Sequence, residues 1–142
     1  MILVVGATGL LGGMITRQLL KQDKAVRILV RHHSASEELA KQGMATSTQS
    51  LIDAGAQPMV GDLKDPPSLD RACAGVATVI TTANSILRSG EDNITTVDLN
   101  GTKNLIDAAK AAGASHFIYV SVLGSTPEHP HPFISAKGQC EA

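Results

Sequence analysis

Apolar residues fall along this chain in two alternating periods. Ile2-Leu3-Val4-Val5, Ala25–Arg31, Ala56–Val60, Ala77–Thr82 and His116–Ser121 are short β-prone runs bounded by polar or small residues. Runs of that length and composition predict strands of a parallel sheet covered on both faces. Between them the apolar positions step by three or four. Leu11, Met14, Ile15 and Leu19 form one stripe within Leu10–Leu20, and Ile94, Val97, Gly101, Leu105 and Ala108 form another within a helix predicted over Asp92–Ala112. Such stripes are the pattern of helices that bury one face. Shorter helices are predicted at Ser36–Gln42, where Glu37 and Glu38 suit an opening turn, at Thr48–Ala54, and at Ser68–Ala74 behind Pro66 and Pro67. Strand and helix thus alternate, which predicts an α/β fold with about five parallel strands.

The join after the first strand carries the chemistry. Gly6-Ala7-Thr8-Gly9-Leu10-Leu11-Gly12 sets glycines three apart just before a helical stripe. Gly6 lets the chain leave the strand sharply, Gly9 lets main chain approach a pyrophosphate, and Gly12 lets the new helix lie close to the sheet. The helix start then offers free N–H groups and the positive end of its dipole to an anion in the turn. Strand, glycine turn and helix in that order are the context of a dinucleotide-binding turn. Gly6, Ala7, Thr8, Gly9, Leu10, Leu11 and Gly12 are therefore candidate cofactor-binding residues. The fold expected is a Rossmann-like, doubly wound parallel sheet in the order 3-2-1-4-5, with helices on both faces.

Which dinucleotide is bound turns on the end of the second strand. NAD-selective sites usually carry Asp or Glu about 20 residues beyond the glycines, accepting from the ribose 2′-hydroxyl. Here Arg31 stands 19 positions past Gly12, followed by His32, His33 and Ser34, with no carboxylate before Glu37. A guanidinium binds a 2′-phosphate in bidentate fashion and gives a hydroxyl little. NADP is thus expected in preference to NAD, with Arg31 and His32 as contacts. Ala83-Asn84-Ser85 follows the fourth strand, where ligand crevices lie in open parallel sheets. Ala83 and Asn84 either line the cleft or belong to a plain surface loop.

In these motifs the chain resembles the NmrA-like branch of the atypical short-chain dehydrogenase/reductases. The likeness extends to Asp62-Leu63, similar to the family's Asp-Leu at the adenine edge, though a turn aspartate or helix cap fits equally well, and to Val97–Leu105, similar to the helix before the fifth strand. In this superfamily a tyrosine exchanges a proton as hydride moves, a lysine four residues later holds the nicotinamide ribose, and a serine near the fifth strand positions substrate. The matching segment is Phe133-Ile134-Ser135-Ala136-Lys137. Lys137 is present as ribose ligand and candidate acid/base, or as an exposed helix lysine. Phenylalanine replaces the tyrosine, and a phenyl ring donates no proton. Ser121 is the best match for the serine, while a shift of one residue puts Val122 there. The resemblance implies an NADP(H)-binding oxidoreductase domain acting on a small carbonyl, quinone or similar acceptor. The alternative is a non-catalytic NAD(P) sensor of the NmrA type. A sugar-nucleotide epimerase or dehydratase fits less well, because those reactions rely on the missing tyrosine.

Composition narrows the rest. The 142 residues suit one domain over 1–142, and 43% hydrophobic against 18% charged residues suits a folded one. With no Trp, one Tyr and two Phe, the core must be aliphatic. A net charge of −1 without a basic stripe points away from direct nucleic-acid binding. Cys73 and Cys140, far apart, suit reduced thiols. His116, His129 and His131, two of them among prolines, carry no metal-ligand spacing. No apolar run reaches membrane-spanning length, and the first strand begins at residue 2, so a cytoplasmic protein is expected. Relatives continue past the lysine with a sixth strand and a substrate-binding region. A chain truncated before that region, with a bare fifth-strand edge inviting homodimerisation, is the corresponding expectation.

Overall fold

A computed structural model describes residues 1–32 and 36–142. His33 and Ser34, next to the predicted nucleotide contacts, lie outside them. Five parallel strands, β1 (Ile2–Val5), β2 (Val26–Val30), β3 (Gln57–Val60), β4 (Thr78–Thr81) and β5 (His116–Tyr119), form one sheet in the order β3-β2-β1-β4-β5. β1 sits at the centre, with Ile2 opposite Val26 on one side and Thr78 on the other. This is the Rossmann-like arrangement expected. Pro58 stands on β3, an edge strand, where its missing N–H costs no ladder bond.

Helices cover both faces. On one, α1 (Leu10–Lys21) and α3 (Thr48–Asp53) lie over a cluster of Val4, Ala7, Val26, Ile28, Leu51 and Ala56. On the other, α4 (Pro66–Cys73) and α5 (Thr102–Ala111) close over Leu3, Val5, Val79, Leu69, Cys73 and Leu105. The core is aliphatic, as the shortage of aromatics requires. α2 (Ser36–Lys41) leads to α3, and α6 (Pro132–Glu141) follows β5. Among the described residues no helix is long and apolar enough to cross a membrane.

Three predicted elements differ in detail. α4 starts at Pro66, not Ser68, because proline fits the first helical turn, where its missing N–H is no loss. The helix predicted from Asp92 starts at Ile94, capped by Asn93, and its first stretch, Ile94–Gly101, is wound as a π-helix running straight into α5. Gly101 is buried as predicted, and its close neighbour is Leu63 in the loop after β3, 2.8 Å from an ideal Cβ. In α1 the buried positions are Gly12, Gly13 and Thr16, while Leu11 and Met14 of the predicted stripe are 48% and 68% exposed. Gly12 brings the first turn of the helix so close to the glycine turn that bare backbone faces inward there, while Leu19 and Leu20 pack against the core at its far end.

Candidate functional site

The glycine turn is built by contact distances that leave no room for side chains. Gly6 has φ +90°, in the left-handed region that favours glycine, and reverses the chain out of β1. An ideal Cβ on Gly12 would lie 2.1 Å from the Gly6 carbonyl oxygen. That carbonyl accepts from the Gly9 N–H at 3.0 Å and from Thr82 Oγ1 at 3.3 Å. A further brace comes from the polar segment before α3: the Thr46 N–H donates to the Thr8 carbonyl at 2.7 Å and its hydroxyl to the Gly9 carbonyl at 3.2 Å. Glu37 in turn accepts from the Thr48 N–H at 2.6 Å, tying α2 to the start of α3. The long connection thus clamps the turn.

α1 begins at Leu10 with Gly9 as its cap and no side chain satisfying its first N–H groups. Beside this helix start lies a cavity of about 550 Å³ lined by Gly6, Thr8, Gly9, Leu10, Ala83 and Asn84, together with Arg31 and Arg88. A smaller cavity of about 150 Å³ adjoins it, lined by Gly6, Thr8, Arg31, Asp62, Leu63 and Arg88. His32 is exposed and borders a third, with Asp62 and Lys64. Of the turn residues, Ala7 points the other way: it is fully buried in the core with Val4 and Ile28, so only its main chain can serve a ligand. Leu11 and Gly12 line none of these cavities; Gly12 acts through its missing side chain.

Asp62 is a turn aspartate, its Oδ1 accepting from the Lys64 N–H at 2.8 Å, and it also borders the smaller cavity. Both readings of that residue therefore meet in one place. Leu63 is buried beside Gly101, and its carbonyl accepts from Asn104 Nδ2 at 2.9 Å. Arg31 does not project alone. Its Nη1 lies 2.6 Å from Asp92 Oδ2, Lys64 Nζ lies 2.6 Å from Asp92 Oδ1, and Arg88 Nη1 stands 3.6 Å from the same Oδ2. Burial alone would push the Asp92 carboxyl up, but the Lys64 hydrogen bond and the three positive charges outweigh it and hold it below its usual range. Burial pushes the Arg88 guanidinium down, and the neighbouring Arg31 charge adds to this.

Arg88 is positioned from beneath. Its N–H closes a turn onto the Ser85 carbonyl at 2.9 Å, and Ser85 is held by Asp98, whose Oδ2 accepts from both the Ser85 N–H and hydroxyl. Asp98 is 1% exposed, and its second oxygen has no partner among the described residues.

The far end of the sheet holds the predicted catalytic residues. Lys137 is not an exposed helix lysine: it is buried, its ammonium donating to the Val120 carbonyl at 3.1 Å and lying 4.5 Å from the Tyr119 ring centre and 5.4 Å from that of Phe133. Burial pushes its pKa down. It lines none of the cavities around the glycine turn, whereas Phe133 borders one with Ser85, Arg88 and Asn93. Ser121 lies just past the end of β5, where its hydroxyl donates to Ser125 Oγ at 3.3 Å, and Ser125 donates to Glu141 at 2.8 Å. Lys137 and Ser121 are near each other through Val120, without a direct bond. Tyr119 does not take over for the missing tyrosine. Burial and the nearby Cys140 push its phenol up, the opposite of what proton exchange near neutrality needs.

These donors fit an anionic dinucleotide: main-chain N–H groups at a helix start, a cradle that a Cβ would fill, and two guanidinium groups facing one cavity. The sequence model of the NmrA-like family matches residues 1–137. The chain belongs to the NmrA-like family. It is 38% identical over 136 residues to the photosystem II assembly factor Ycf39 of Cyanophora paradoxa, covering 96% of this chain and 38% of that protein. Among solved structures, the triphenylmethane reductase of Citrobacter sp. complexed with NADP(H) is 26% identical with a TM-score of 0.69, covering 99% of this chain and 44% of the other. A short-chain dehydrogenase/reductase superfamily protein of Agrobacterium tumefaciens with bound NAD is also 26% identical, TM-score 0.70, covering 99% and 42%. The chain therefore spans about two-fifths of the length of these relatives.

Several residues of this NmrA-like site were not found from sequence. Arg88, Asp92, Thr46 and Asp98 carry no motif; Asp92, Thr46 and Asp98 reach partners 13 to 61 positions away in the chain, and Arg88 meets Asp92 across one helical-turn spacing. Only Arg88 left a signal, as a lone cation a few residues past the fourth strand.

Proposed function

We propose that this chain is the NADP(H)-binding domain of an NmrA-like oxidoreductase that reduces a small carbonyl, quinone or similar acceptor. The observation carrying this reading is the convergence of Arg31 and Arg88 on the cavity that Gly6 and Thr8 line. When bound, the dinucleotide supplies the hydride. The chain's residues do the rest. The glycine turn and the α1 N-terminus hold the pyrophosphate, Arg31 holds the 2′-phosphate, and Ala83 and Asn84 border the path toward the nicotinamide. Lys137 is the acid/base candidate, since burial lowers an amine's pKa toward the range where protons exchange near neutrality. Ser121 positions the acceptor oxygen.

The test is calorimetric titration of NADPH and NADH into the wild type and Arg31→Ala. NADPH should bind more tightly, and the substitution should weaken it by about tenfold or more while changing NADH little. Failure of both nucleotides to bind would sink the dinucleotide reading; equal losses for both would remove Arg31 from the 2′-phosphate.

One observation favours a second reading, a non-catalytic dinucleotide sensor. Phe133 replaces the proton donor, and the Lys137 ammonium is covered by the Val120 carbonyl and two rings instead of lining the cleft. The similarity to an assembly factor is compatible with it. That reading predicts NADPH binding with no oxidation in the presence of quinone, carbonyl or azo acceptors.

A further inference from the structure

Asp92 sits at the centre of a charge cluster whose three cations, Arg31, Lys64 and Arg88, come from three separate loops. Its place is set by rigid backbone. The next residue, Asn93, accepts from the Thr95 and Thr96 N–H groups, while Thr96 Oγ1 accepts from the Asn93 N–H and donates to the Glu91 carbonyl. A reciprocal cap of this kind pins the start of the helix and, with it, the residue just before. The Asp92 side chain is 15% exposed, against 28% for Arg31 and 25% for Arg88.

The cluster has a direction. Arg31 and Arg88 line the cavity beside Gly6 and Thr8, whereas Asp92 lines the neighbouring one with Lys64 and His32. Arg31 borders both, and Arg88 and Asp92 border a further cavity together. Arg31 already has an anion for a partner, at 2.6 Å. Arg88 is in range of the same oxygen but beyond hydrogen-bond distance. An incoming anion must draw Arg31 from Asp92 or share it, and must do so within reach of a fixed negative charge.

Resting on the dinucleotide reading above, we propose that Asp92 sets the selectivity of this site between NADP(H) and NAD(H), by competing with the 2′-phosphate for Arg31 and Arg88. A phosphate monoester carries a charge of about −1.5 to −2 at neutral pH. Asp92 repels it and holds its natural partner. The 2′-hydroxyl of NAD(H) carries no charge and asks little of Arg31, so Asp92 leaves that ligand nearly untouched. Arg31 thus favours NADP(H) and Asp92 opposes it, a restraint that specificity by repulsion provides. The site discriminates less than an arginine at the end of β2 implies by itself.

The experiment titrates NADPH and NADH, and the fragments 2′,5′-ADP and 5′-AMP, into the wild type, Asp92→Asn, and the double variant Lys64→Gln/Asp92→Asn. The double variant removes one charge of each sign and keeps the cluster's net charge, which guards against a single variant that fails to fold. Melting curves report folding of each. Asp92→Asn should tighten NADPH and 2′,5′-ADP by about tenfold and shift NADH and 5′-AMP by less than about twofold. The double variant should retain most of the gain. Added salt should shrink the gain, because the competition is between charges. If NADPH and NADH bind but their ratio does not move in either variant, the competition is wrong while the dinucleotide reading stands. Weaker NADPH binding would make Asp92 a scaffold for Arg31 instead, and a selective loss of NADH would make it a ribose ligand; either overturns the proposal. If no protein binds any of the four ligands, the dinucleotide reading itself fails and takes the proposal with it.

Discussion

Gly12→Ala tests the contact on which the turn depends. The new methyl would lie 2.1 Å from the Gly6 carbonyl oxygen, 2.7 Å from its carbon and 2.8 Å from Thr82 Oγ1. The two closest atoms are main chain, so no rotamer change relieves them. The helix start must instead move away from the end of β1, straining the bonds that the Gly6 carbonyl accepts from the Gly9 N–H and Thr82. Overpacking of this kind costs about 1–3 kcal/mol, and each weakened hydrogen bond adds about 1 kcal/mol. Alanine returns about 1 kcal/mol of helix propensity. The net loss is about 2–4 kcal/mol, which for a chain of this size lowers Tm by about 7–13 °C. Urea unfolding followed by circular dichroism reads the midpoint directly, and the m-value should not change. A variant as stable as the wild type, or more so, would refute the argument: the helix would then not be seated on the Gly6 carbonyl.

Two further outcomes follow from buried groups. Cys73 is fully buried, and burial, helped by the Asp70 charge, pushes its thiol pKa above the ordinary thiol range. A raised thiol contributes stability that is present below the unfolded pKa and lost as pH rises through the folded one, so above pH 9 unfolding releases a proton that the folded state keeps. Urea midpoints of the wild type should therefore fall relative to Cys73→Val as pH rises beyond 9, and parallel curves would disprove it. Asp98→Ala should cost about 2 kcal/mol by leaving the buried Ser85 N–H and hydroxyl unpaired. It should also weaken NADPH through the Ser85 turn that carries Arg88, and a loss of stability without a loss of affinity would detach Asp98 from the site.

The order of elements was legible because it depends on local chemistry. A run such as Ile2–Val5 reads as a strand, and a glycine turn followed by a helical stripe reads as a βα join, whatever lies elsewhere in the chain. The parallel order then follows from few permitted topologies. Gly101 betrayed its burial by standing on an apolar stripe, although the sequence did not say that Leu63 would fill the space. The α1 stripe misled for a related reason. Leu11 and Met14 have the right spacing, but the close approach permitted by Gly12 and Gly13 turned the backbone inward, and closeness of packing is invisible to periodicity.

What the sequence determined by itself was the run of strands, the glycine cradle and the presence of Arg31 at the end of β2, each specified by residues close by in the chain. What only the tertiary structure decided was the company these residues keep. Asp92 meets Arg31 across 61 positions, Thr46 clamps Thr8 and Gly9, and Lys137 is buried against Tyr119 and Val120. Charge pairs of this kind leave no pattern along the chain, because they arise where separate loops converge at the carboxyl ends of the strands. There the sheet brings together residues that only folding makes neighbours.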